Sequence, residues 1–84
     1  MAQPRTWLRE VMDALRDLGG AGFLSEIYAQ IRKRGRMDFA SNSKWEAAVR
    51  NAIEKHSSDS EAYAHNGDYF KSVDGIGSGH WQLR

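Results

Sequence analysis

Apolar positions keep a helical period through the first part of this chain and lose it beyond the stretch SSDS. In TWLREVMDALRDLGG they fall at Trp7, Leu8, Val11, Met12, Leu15 and Leu18. That i, i+4, i+8 recurrence marks one face of an amphipathic helix. Pro4 suits the start of such a helix, and Gly19-Gly20 supplies a left-handed stop. AGF is too short for more than a brief strand or an extended link. LSEIYAQIRKRG then predicts a second helix with Leu24, Ile27, Tyr28 and Ile31 inward and Gly35 at its end.

RMDFASN reads as a loop of turn-forming and basic residues, and SKWEAAVRNAIEKH as a third helix. Ser43 stands three residues before Glu46, the spacing of a capping box, and Lys55 and His56 suit the negative end of the helix dipole. Beyond SSDS, the short segments DYFKSV and HWQLR are rich in aromatic and β-branched residues, with DGIGSG between them. Two strands joined by a glycine-rich tip predict a hairpin. The expected order is helix, short strand, helix, helix, strand, flexible tip, strand. It is the order of an α+β winged helix: a helix-turn-helix core of three helices with a small antiparallel β-hairpin beside it.

At 84 residues the chain is expected to form one domain, 1–84, with Met1 to Arg5 disordered. It has no cysteine, so neither disulfides nor a thiolate zinc site can staple it. Three tryptophans, three phenylalanines and three tyrosines must supply much of the buried area. No apolar run is long enough to span a bilayer, and MAQPRTW lacks the apolar segment of a signal peptide. A soluble, cytoplasmic monomer with no membrane partner is expected.

The net charge of +1 hides an uneven distribution. Residues 1–31 carry −1 and residues 56–84 carry −2, whereas residues 32–55 hold seven basic and three acidic side chains, for +4. One basic segment centred on one helix suits a polyanion, of which nucleic acid is the commonest. A solvated charged face is the alternative.

On a helical wheel of the third helix, Trp45, Ala48, Val49, Ala52 and Ile53 share one arc, and Ser43, Lys44, Ala47, Arg50, Asn51 and Glu54 the other. The first arc must face the other helices, so Trp45 is a core residue. Its first-turn position is also expected to leave one ring edge at the helix start. On the second arc, Arg50 and Asn51 are the residue types that pair with guanine and adenine edges in the major groove. Ala47 leaves room for close approach. Ser41, Asn42, Ser43 and the free amides of the first turn can hold a phosphate. The same arc could be ordinary helix surface, with Glu46 and Arg50 as an i, i+4 ion pair. In the tip, Ser78 and His80 could touch a phosphate backbone, or form a plain turn. GIGSG lies between two strands, so it does not fit a nucleotide loop, which leaves a strand and opens a helix. The spacing of His56, His65 and His80 fits no compact metal motif. No catalytic triad or paired carboxylates stand out. No enzyme, cofactor or metal is expected.

LGGAGFLSEIYAQI, KWEAAVRNAIEKHSSDS, YF and VDGIGSGHWQLR together resemble the winged-helix domains fused to modification-dependent restriction endonucleases, like the C-terminal domain of the Dpn-type enzymes. The resemblance covers residues 7 to 84. Its most specific pieces are Trp45-Glu46-Ala47 with Val49-Arg50, His56 to Ser60, and Gly75 to Gly79 followed by Trp81. Phe23 departs from the Ser or Thr expected to cap the second helix, and Gln82 stands where a small residue is usual. The resemblance implies a reader of N6-methyladenine in double-stranded DNA, in GATC, with cutting left to a fused nuclease domain. It carries the DNA role to Ser43, Lys44, Trp45, Ala47, Arg50 and Asn51, and less directly to Ser78 and His80. Arg32, Lys33, Arg34 and Arg36 are expected to set register on phosphates. The competing expectations are a winged-helix module that docks proteins, or a DNA binder indifferent to methylation.

Overall fold

The computed structural model describes residues 6–75 and 77–84; the expectation for Met1 to Arg5, and the role of Pro4, lie outside them. Helix α1 spans Trp7–Asp17, strand β1 Ala21–Phe23, α2 Leu24–Arg34, α3 Trp45–Lys55, β2 Phe70–Ser72 and β3 His80–Leu83. The chain is thus an α+β domain of three helices and one three-stranded antiparallel sheet, in the element order expected. The sheet order is β1-β3-β2. In register, Gly22 faces Trp81 on one side of β3 and Ser72 faces it on the other.

Each helix reflects its stripe. Thr6 caps α1 by accepting a hydrogen bond from the Arg9 amide at 3.1 Å, and Gly19 and Gly20 end it with φ of +89° and +101°. α2 closes on Gly35 in the left-handed region. Val11, Ala14 and Leu15 of α1, Ile27 and Ile31 of α2, and Trp45, Val49 and Ile53 of α3 meet Phe70 and Trp81 of the sheet in one core. Gly22 keeps the sheet close to the helices. A Cβ there would lie 3.0 Å from Leu18 Cδ1.

Phe23 has no oxygen with which to cap α2, and two other groups take over the task. The Glu26 carboxylate accepts from the Phe23 amide at 2.9 Å. The Leu24 amide donates to the Gly79 carbonyl at 2.8 Å. The second bond also anchors the hairpin to the start of α2.

The capping box expected at Ser43 does not form. The Trp45 amide donates to the Asn42 carbonyl at 3.0 Å, closing a turn that leaves Lys44, not Ser43, at the cap position. Ser43 lies one residue too early, and among the described residues no side chain caps α3. The preceding loop is organised by Asp38 instead. Its carboxylate accepts from the Ser41 amide at 3.1 Å, and its carbonyl from Asn42 Nδ2 at 2.7 Å. The Ser41 bonds hold the Asp38 carboxyl below its ordinary pKa. Met37 and Phe39 of this loop pack onto the core, so the loop is apolar on its inner side.

No helix of the described residues is long and apolar enough to cross a membrane.

Candidate nucleic-acid interface

The face of α3 turned away from the core is open. Lys44, Glu46, Ala47, Arg50 and Asn51 are exposed, Ala48, Ala52 and Glu54 are half-buried, and Trp45, Val49 and Ile53 are buried. This division follows the helical wheel. No ion pair between Glu46 and Arg50 occurs among the described residues.

Trp45 corrects one expectation. It is only 4% exposed, because aromatic rings enclose it. Trp7 stacks on it with centroids 5.9 Å apart, while Phe39 at 5.0 Å and Tyr28 at 5.7 Å meet it edge-on. The Arg32 guanidinium lies over the same ring at 5.2 Å. The ring edge expected at the helix start is covered, and Trp45 acts by fixing where α3 begins. What remains open there is a shallow depression of about 270 Å³ lined by Ser41, Asn42, Ser43, Lys44, Trp45 and Ala48. It gathers the polar residues that the sequence marked as a phosphate seat.

Arg34 corrects another. Its side chain is 14% exposed and reaches back to α1, where Nε meets Glu10 Oε2 at 2.6 Å and Nη1 meets Asp17 Oδ2 at 2.8 Å. A third carboxylate, Asp13, lies 3.6 Å from Nη2. Glu10 is fully buried, so this cation serves to neutralise a charge that could not otherwise leave water. The same bonds raise the Arg34 pKa, and together with Gln30 they hold Asp17 below the ordinary carboxylate range. Arg34 is therefore not available to a phosphate. Lys33 and Arg36 beside it remain exposed.

The two hairpin residues differ. Ser78 is exposed, its hydroxyl accepting from the His80 amide at 3.2 Å. His80 is engaged within the chain: its ring stacks on Phe23 at 4.2 Å and Nδ1 lies 3.4 Å from Asp74. Only Nε2 is left for an outside partner. His56 lies against Tyr69 and the Gly67 carbonyl, and His65 against Tyr63. Among the described residues, no three His, Cys, Asp or Glu side chains converge in a way that could hold a metal.

The stretch His56 to Ser60 is a clasp. Asp68 accepts from the Ser58 amide and hydroxyl at 2.9 and 2.7 Å and from Arg84 Nε at 2.8 Å. Asp59 accepts from the Ser72 amide at 2.9 Å. These bonds hold the loop after α3 against β2 and β3, and the Ser58 bonds above all lower the Asp68 pKa.

A second cavity was not anticipated. About 240 Å³ of space lies between α3 and the hairpin, lined by Leu24, Arg50, Glu54, Ser60, Gly77, Gly79 and Trp81. Its apolar side is Leu24 with Trp81, and its polar side Arg50, Glu54 and Ser60. The i, i+4 spacing of Arg50 and Glu54 was visible in the sequence. The approach of the hairpin to them depends on the Leu24–Gly79 bond, which no local pattern announces.

Comparison with protein-family models, curated proteins and solved structures returned no match.

Proposed function

We propose that this chain is a winged-helix domain that binds double-stranded DNA as a monomer in the cytoplasm, with α3 in the major groove and the β2–β3 hairpin as the wing. The observation that carries the reading is the open arc of α3, where Lys44, Ala47, Arg50 and Asn51 are all exposed. Donor-rich and amide side chains with a small residue between them suit base edges better than bulk water requires. The helix order and the sheet order β1-β3-β2 agree with the winged arrangement.

In this reading Lys33, Arg36 and Lys44 contact phosphates, with Ser41, Asn42 and Ser43 at the depression that opens α3. Arg50 and Asn51 read bases. Ser78 and Nε2 of His80 approach the backbone from the wing. Arg34 and Trp45 hold the frame. The mark read is N6-methyladenine, in GATC. It rests on the resemblance to readers in modification-dependent restriction endonucleases, and Ala47 is the side chain placed to meet a methyl. The chemistry of cutting belongs to a fused nuclease domain, and this domain is not an enzyme.

Salt titration of duplex binding tests the class. Neutralising Z phosphates gives log K a slope of about −0.9Z against log salt. The reading expects a slope of about −3 or steeper. Salt-independent association, or no association with any duplex, would point instead to a protein-docking module.

A further inference from the structure

We infer that Arg50 and Glu54 together form a subsite for one G·C pair, with Glu54 accepting a hydrogen bond from the cytosine N4 amine. The inference rests on the duplex-binding reading above. Both side chains line the cavity between α3 and the hairpin, one helical turn apart, the spacing at which side chains on a helix surface are neighbours. Glu54 is half-buried there, while Trp81 of β3 and Leu24 of α2 line the same cavity.

A carboxylate is an odd neighbour for phosphates, which would repel it. It suits a base edge instead, because an ionised carboxylate only accepts. In the major groove guanine offers two acceptors, O6 and N7, and cytosine offers the N4 donor. An arginine fork beside a carboxylate matches that pattern in one orientation and mismatches the other three pairs.

The same chemistry separates this subsite from any methylated adenine. A base-paired adenine has two N6 hydrogens, one spent on thymine and one facing the groove. Methylation at N6 replaces the groove-facing hydrogen, which leaves nothing for Glu54 to accept. Glu54 must therefore face an unmodified amine, on a base pair other than the marked one.

The test uses duplexes that share one fully methylated adenine site, with each neighbouring pair varied in turn through all four choices. A further duplex carries N4-methylcytosine, which lacks the groove-facing hydrogen, at the preferred position. Wild-type protein should prefer cytosine at one position by about tenfold, the low end of what a base contact contributes, and should bind N4-methylcytosine there several-fold more weakly. Glu54→Ala, in which alanine keeps the helix, should bind cytosine and N4-methylcytosine at that position within about twofold of each other, with circular dichroism reporting an intact fold. A Glu54→Ala protein that keeps the wild-type discrimination against N4-methylcytosine overturns the inference alone. So does wild-type protein that ignores the neighbouring pairs. Wild-type protein that binds no duplex overturns the duplex reading and the inference together.

Discussion

The last turn of α2 and the outward face of α3 each present an arginine from the one basic segment, and the two arginines have opposite fates. Arg34 lies on the stripe of Ile27 and Ile31 and turns inward to three carboxylates of α1. Arg50 flanks the buried stripe of Val49 and Ile53 and stays exposed, lining a cavity. A local charge of +4 over residues 32–55 therefore overstates the cationic surface, because one of its charges cancels a buried Glu10 on another helix. What a polyanion meets is the set of unpaired cations, not the count of basic residues.

The largest effect that separates the two regions should come from Arg34→Ala. Removing one partner of a buried pair costs about 3 kcal/mol, and Arg34 is a close partner of the buried Glu10. Thermal unfolding should show that loss, while affinity for DNA per folded molecule stays unchanged. A selective loss of DNA binding with normal stability would return Arg34 to the interface. Arg50→Ala and Asn51→Ala should behave in the reverse way. Exposed helix positions affect stability by within about 0.5 kcal/mol, whereas losing a base contact costs about 1–3 kcal/mol of sequence discrimination. Binding curves on matched and mismatched duplexes, beside melting curves, check both halves.

The smallest effect is on acid stability. Asp17 is held low chiefly by Arg34, Asp38 by Ser41 and Asp68 by Ser58. A carboxyl depressed in the folded chain stabilises it above the unfolded value, near 4, and that contribution is lost as pH falls through the folded value. Stability should therefore drop below about pH 4. In Arg34→Ala the drop should be shallower, since Asp17 keeps only its bond from Gln30 and differs less between folded and unfolded chains. Urea midpoints between pH 5 and pH 3 would show it, and parallel curves for the two proteins would exclude Arg34 as the cause.

The helices and the hairpin were legible because their information is local: a stripe, a stop, an aromatic pair of strands around a glycine tip. The errors arose where two local signals compete or two distant residues decide the outcome. Ser43 and Glu46 have capping-box spacing, but a turn closed from Asn42 to Trp45 moved the cap to Lys44. Phe39 lies in a polar loop without period, so nothing local showed that it would cover Trp45. The fate of Arg34 was half-written: Glu10, Asp13 and Asp17 form an i, i+3, i+7 row on α1, and Arg34 continues the Ile27–Ile31 stripe. Only packing α1 against α2 joins the two rows. β1 was readable as a brief strand, but its partner β3 lies at the far end of the chain. For the site, the exposed arc of α3 followed from the wheel, whereas the cavity that joins it to the hairpin required the fold.

The proposed reading of adenine methylation in duplex DNA meets one measurement directly. Dissociation constants are determined at fixed salt for a single GATC duplex in unmodified, hemimethylated and fully methylated forms. Each methyl buried against an apolar surface such as Ala47 stabilises by roughly 0.8 kcal/mol. Two methyls then favour the fully methylated duplex by about tenfold or somewhat more, with the hemimethylated form between. Equal dissociation constants for all three duplexes would contradict the claim.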